Sequence, residues 1–234
     1  MYGSSVYLTL PLAAVLLAWQ IARWLRDRRR LQRVGRALAA LPPYTSGHPG
    51  PSVVEGTVVS DATLIAPLSG EAVVGYHVVL EARYRQRLRF EPVLQETQIG
   101  DLGVASAGGL VEADRTPKTL LLQRSSRRPV TLDELAAPPL SELLRRQGVP
   151  ARQLLAATRL RLTERTLRRG DRVYVYNGVV RTQLAADGAG RGHRAAPERT
   201  VLQTPAQGAT LVTDLPPARL PAALGATVAL SMDH

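Results

Sequence analysis

Residues Ala66–Arg85 read APLSGEAVVGYHVVLEARYR. Pro67 presets one backbone angle, Ser69 and Gly70 complete a chain reversal, and the residues that follow alternate in polarity. Tyr76, Val78, Leu80, Ala82 and Tyr84 fall on one face of an extended strand, with His77, Val79, Glu81, Arg83 and Arg85 on the other. The stretch therefore reads as a turn that feeds a core strand. Ser69 has no histidine or other base at a recognisable spacing, so the turn carries no nucleophile signature.

The flanking sequence extends this β character. Val, Tyr and Thr concentrate between turn residues, which predicts strands near Val53–Val59, Ala72–Tyr84 and Leu88–Gln95. Two weaker runs follow, GDLGVASAGGLVEAD and KTLLLQRS. The period then changes: TLDELAAPPLSELLRRQGV and PARQLLAAT carry helical spacing broken by Pro138, Pro139 and Pro150, with Thr131 and Ser141 placed as N-caps and Gly148 as a stop. Strands resume over TRLRLTERTLRRGDRVYVYNGVVRTQL, where Arg169, Gly170 and Asp171 signal a turn between alternating runs. The glycine-rich stretch 185–199 reads as a loop, with a minor reading as a metal or anion site around His193. Two short strands and an apolar stretch, Leu220–Leu230, too short to span a bilayer, close the chain.

Upstream, Leu41–Pro51 is a Pro/Gly/Ser linker, preceded by MYGSSVYLTLPLAAVLLAWQIARWLRDRRR. Val6–Leu25 is apolar on every face and long enough to cross a hydrocarbon layer of roughly 30 Å as a helix. Tyr2 and Tyr7 lie near one end and Trp19 and Trp24 near the other, as interfacial rings do. A cleavable signal peptide fits poorly, because the charges follow the apolar run and no small-x-small site is present. The positive-inside rule then predicts a short N-terminus outside and the main domain in the cytoplasm, in a bacterial inner membrane.

Charge supports this organisation. The 234 residues carry a net +11, but Arg23–Arg36 alone holds seven arginines against one aspartate. More than half of the excess thus sits beside the apolar run, where Arg26, Arg28, Arg29, Arg30 and Arg33 are the candidate contacts for anionic lipid headgroups. The later arginines Arg159, Arg161, Arg165, Arg168, Arg169 and Arg172 offer a nucleic-acid reading, which alternation disfavours by spreading them over both faces of a hairpin. No nucleic-acid partner is expected.

Cysteine is absent, which excludes disulfides, thiolate zinc sites and thiol catalysis. His48, His77, His193 and His234 show no metal-binding spacing, and no GxSxG, P-loop or GxGxxG motif in strand–helix context occurs. A pair of carboxylates could still do acid–base work, the candidates being Glu55, Asp61, Glu71, Asp101 and Glu164. Each is more simply a strand-edge or turn residue, as is Asp171. No catalytic, cofactor or metal residue is assigned and no cofactor is expected.

The order of features adds one further pointer. An apolar helix, VVEGTV, APLSGEAVVGYHVVLE and RTLRRGDRVYVYNGVV together resemble the GIDE family, whose β-rich module is also called the "beside a membrane" (BAM) domain. Pro67, Leu68, Ser69, Gly70 and Tyr76 match its first signature, and Glu164, Leu167, Gly170, Asp171, Val173, Tyr174, Val175 and Gly178 its second. The resemblance covers Ser52–Leu215. It implies a non-enzymatic accessory domain beside the bilayer, contacting membrane-associated proteins or lipids. Eukaryotic members are mitochondrial E3 ubiquitin ligases with a second membrane helix and a RING finger; this chain has no cysteine for a RING, so ligase activity is excluded. The family's cysteine after the Ser-Gly turn is also missing.

The expectation is an α+β chain: an N-terminal transmembrane helix (1–25), a basic juxtamembrane segment and linker (26–51), a β-rich barrel- or sandwich-like domain with a short helical insertion (52–215), and a C-terminal tail (216–234). The rival expectation is a membrane-tethered enzyme with a carboxylate site.

Overall fold

The computed structural model describes residues 6–45, 50–85, 89–113, 118–123, 126–184, 198–203 and 210–224; within these, the side chains of 6–21, Trp24, Lys118, Ala151, 182–184 and 198–199 are not described. Two compact units emerge, one formed by Leu41–Leu215 and the other by the residues before and after it. The second contains a single long helix, α1 (Val6–Ala39).

In the Leu41–Leu215 unit the chain forms β1 (Pro51–Val58), β2 (Leu64–Ile65), β3 (Ala72–Val73), β4 (Gly75–Tyr84), β5 (Glu91–Ile99), β6 (Leu102–Ser106), β7 (Gly109–Ala113), β8 (Lys118–Leu121) and β9 (Ser126–Val130). Three short helices follow, α2 (Leu132–Ala136), α3 (Leu140–Arg146) and α4 (Ala151–Leu154), then β10 (Ala157–Leu167), β11 (Arg172–Leu184), β12 (Glu198–Gln203) and β13 (Thr210–Thr213). The β-rich expectation holds, and the barrel form is the one realised.

The barrel comes from one closed circuit. β1 pairs with β6, β6 with β7, β7 with β12, β12 with β11, and β11 again with β1. Every junction is antiparallel except β7–β12. This is the strand order of a five-stranded Greek-key barrel of the OB type. The sheet also continues from β11 through β13 to β8, and the barrel interior is aliphatic: Val54, Val58, Leu102, Val104, Val111, Val173, Val175 and Leu202 are buried together. Gly56 permits the tight β1–β6 crossing, since a Cβ there would lie 2.2 Å from the Ala105 carbonyl oxygen.

Two insertions into this circuit build a second layer. The one between β1 and β6 supplies β4 and β5; the one between β7 and β11 supplies β9, the helices and β10. They join as an antiparallel sheet ordered β5-β4-β10-β9. Its even-numbered face, with Tyr76, Val78, Leu80 and Ala82 of β4 and Leu160 and Leu162 of β10, packs with Leu135, Leu140, Leu143, Leu144 and Leu154 of the helices. The expected alternation of β4 is thus realised.

Three local expectations need correction. The strand expected at Leu88–Gln95 runs over Glu91–Ile99, pairing with β4 through a register shift between Leu80 and Glu81, while Leu88 lies outside the described residues. Thr131 does cap α2, in a capping box with Glu134. Ser141, however, lies inside α3, whose cap position is Pro139: proline there presets the helical φ and no side-chain cap forms. The expected linker residues Pro42, Pro43 and Tyr44 run along β1, with the Tyr44 and Val53 amides bonded to Val53 and Pro42 carbonyls.

Candidate functional site

The Pro-Leu-Ser-Gly turn closes on itself through two backbone bonds, Ala66 N–H to the Glu71 carbonyl and Gly70 N–H to the Ala66 carbonyl, both 2.9 Å. Gly70 takes φ +69°, a conformation glycine adopts without strain. This shape points two amides at one place. Leu68 N–H donates to Glu164 Oε2 at 2.5 Å and Ser69 N–H to Glu164 Oε1 at 3.1 Å. Glu164 is 1% exposed on β10, and the Ser126 hydroxyl donates to its carbonyl oxygen at 3.4 Å. The two stretches that carry the family resemblance therefore meet at a buried carboxylate held by charge-assisted bonds to turn amides. Such paired amides form an anion-binding nest, and the protein fills it with its own side chain.

Beside this clamp lies a cleft of about 370 Å³ lined by Ser69, Glu71, Ser126, Glu164, Thr166, Arg168 and Asp171. Its charges are mutually satisfied. The Arg168 guanidinium pairs with Glu71, and Arg168 N–H donates to Asp171 Oδ2 at 2.8 Å. The Ser69 hydroxyl accepts the Glu71 N–H at 3.5 Å, and no histidine bonds to it among the described residues. Of the other candidate carboxylates, Asp61 pairs with Arg169 at 2.6 Å, Glu55 pairs with Arg172, and Asp101 lies exposed ahead of β6. The five carboxylates are not brought together in one site.

The same contacts sort the arginines differently from the sequence expectation. Arg168, Arg169 and Arg172 surround the turn and pair with acids. Arg159, Arg161 and Arg165 are all odd-numbered on β10 and share its outer face, opposite Arg83, Glu81 and His77 of β4. The expected spread over both faces fails because the turn begins at Arg168, leaving only residues of one parity on the strand. On this outer face Glu81 accepts a two-pronged bond from Arg161, 2.8 Å on each prong, and pairs with Arg127 at 3.5 Å. The Arg161 guanidinium lies 4.0 Å from the Phe90 ring centre and that of Arg83 5.8 Å from it.

His77 is buried on this face with Nδ1 2.7 Å from Thr97 Oγ1. Burial first, and then the Arg165 charge, hold its pKa down at about 4. Burial likewise lowers the Arg165 pKa. The imidazole is a neutral structural group here.

Sequence reasoning missed Glu96. It is buried on β5 and accepts the Tyr76 hydroxyl at 2.5 Å, Gln98 Nε2 at 2.9 Å, Arg146 at 2.9 Å and Gln147 Nε2 at 2.8 Å. Burial first, then the Glu96 bond and charge, push the Tyr76 phenol pKa up. Two signals were available: alternation puts Glu96 on the same face as Leu94, and a buried Tyr76 hydroxyl requires a partner.

The remaining candidates are placed as follows. Arg26, Arg28, Arg29, Arg30 and Arg33 are exposed on α1. Most of the apolar run lies outside the residues whose side chains are described; among the described residues no helix is long and apolar enough to cross a membrane. His48, His193, His234 and the 185–197 loop lie outside the described residues. Among those described, no group of three or more metal-ligating side chains is placed to hold an ion. Comparisons with protein-family models, with curated proteins and with solved structures find no match to this chain.

Proposed function

We propose that this chain is a single-pass membrane-anchored, non-enzymatic protein of the GIDE/BAM kind, working as an interaction or membrane-proximal sensing module in a bacterial inner membrane. The observation that carries this reading is the Glu164 clamp. The motif residues Leu68, Ser69 and Glu164 spend their polar groups on one another, which is what a folding device does and what a reactive site does not. An aliphatic barrel interior supports it as well, since such a core leaves no internal chamber for a substrate. The apolar run Val6–Leu25 and the arginines after it supply the anchor and its direction.

The rival reading is a membrane-tethered enzyme using the cleft around Glu71, Glu164 and Asp171. It is weaker because Arg168 engages Glu71 and Asp171, while the turn amides hold Glu164. Nucleic-acid binding is weaker still, because half of the candidate arginines are paired with acids around the turn.

Crosslinking the full chain in native membranes, followed by pulldown, tests the interaction role. Specific membrane proteins are expected to co-purify; recovery at background level in the native host contradicts it. Protease added to intact spheroplasts is expected to leave the folded unit whole, and digestion there reverses the orientation.

A further inference from the structure

The outer face of the four-stranded sheet carries more positive charge than its acids neutralise. Arg83, Arg127, Arg159, Arg161 and Arg165 stand there around Glu81, with the Asp214 charge acting on Arg165 as well. Glu81 is committed to Arg161 and Arg127. Arg83 and Arg159 sit directly opposite each other across β4 and β10 and have no ion-pair partner among the described residues. Directly opposed like charges destabilise a sheet, so this pair costs stability unless an anion bridges it. On the Arg159 side of this pair, Phe90, Pro129, Thr158, Arg159 and Arg161 line an open depression of about 450 Å³.

We propose that this end of the sheet, centred on Arg83 and Arg159, docks on the phosphate groups of an anionic phospholipid surface. Three observations favour a bilayer over a nucleic-acid strand. The face is a sheet surface with a shallow depression in place of a groove that would track a strand. The Phe90 ring beside this end of the sheet already carries the Arg161 guanidinium at 4.0 Å and the Arg83 guanidinium at 5.8 Å, which leaves it a poor platform for a stacking base. Finally, the apolar run ends at Leu25 and the folded unit begins at Leu41, so the basic remainder of α1 tethers the domain to whatever bilayer the run enters. This last step rests on the anchored reading above.

The absence of cysteine makes the test clean. The full chain carrying Gln95→Cys, an exposed position on the same face, is labelled with a fluorophore. It is then reconstituted in vesicles of phosphatidylcholine alone or mixed with phosphatidylglycerol, each doped with a lipid bearing a nitroxide quencher on its headgroup. Strong quenching is expected only in the anionic vesicles and should disappear at high salt. In Arg83→Gln/Arg159→Gln the docked-to-free ratio should fall about 30-fold, since each arginine near the surface contributes about fivefold. Arg83→Lys/Arg159→Lys should restore most of it.

Equal quenching in neutral and anionic vesicles overturns the proposal without any variant. So does a single-stranded oligonucleotide that binds the labelled face in neutral vesicles and is lost in the Gln pair. Chain that fails to float with vesicles of either composition removes the anchor as well, whereas chain that floats with both but quenches equally removes only the docking face.

Discussion

The barrel and the helix-covered sheet belong to one folded unit, yet different interactions hold them. The barrel closes on itself, so backbone bonds and an aliphatic filling of Val54, Val104, Val175 and Leu202 are enough to define it. The second sheet is open, and its covers have to be pinned. Glu96 ties the end of α3 to β4 and β5, and Glu164 ties the Pro-Leu-Ser-Gly turn to β10. Buried carboxylates appear where a sheet lacks closure, and the sequence motifs gather at those pins. Polar residues in motifs can therefore report how a fold is fastened without reporting chemistry.

The largest effects should come from the two cores. Leu162→Ala in the sheet layer and Leu202→Ala in the barrel, both nearly fully buried, should each cost about 2–5 kcal/mol. Because the sheet layer is assembled from two insertions into the barrel, both changes should lower one shared transition in a denaturant titration followed by far-ultraviolet circular dichroism. Two separated transitions would show that the layers fold independently.

Next comes acid. His77 has a folded-state pKa of about 4, below its ordinary value of about 6.5. Folding thus favours the neutral ring. Its stabilisation is fully present above about pH 6.5 and is lost as the pH falls toward 4, by an amount on the order of 3 kcal/mol. His77→Gln should flatten the stability profile across that window, and an unchanged acid limb would remove His77 as its cause.

Glu164→Ala should cost about 2 kcal/mol, since it strips two turn amides of their acceptor. Glu164→Gln should cost less, because its amide oxygen still accepts one of them. Chemical denaturation of both variants sharpens the contrast with the barrel; unchanged stability in Glu164→Ala would return the residue to the cleft as a free carboxylate. The smallest effect is Thr131→Ala, about 1 kcal/mol from loss of the α2 cap, read from the same titration.

What the sequence disclosed follows the same division. Alternation located β4 and gave its buried face, and Thr131 with Glu134 announced a helix start, because these signals are local. Closure was not legible: β1 meets β11 more than a hundred residues away, and the parallel β7–β12 contact has no local signature. Glu164 was a candidate from its residue type alone, but its role is set by amides 96 and 95 residues distant. The role of Glu96 has no local signature, because its four donors come from three separate elements.

The anchored reading is tested most directly by alkaline carbonate extraction of membranes from cells expressing the full chain, beside a version lacking residues 1–25. The account predicts that the full chain stays in the membrane pellet at high pH and high salt while the shortened chain is released. Release of the full chain by carbonate would contradict a transmembrane anchor, leaving the arginine surfaces as peripheral contacts at most.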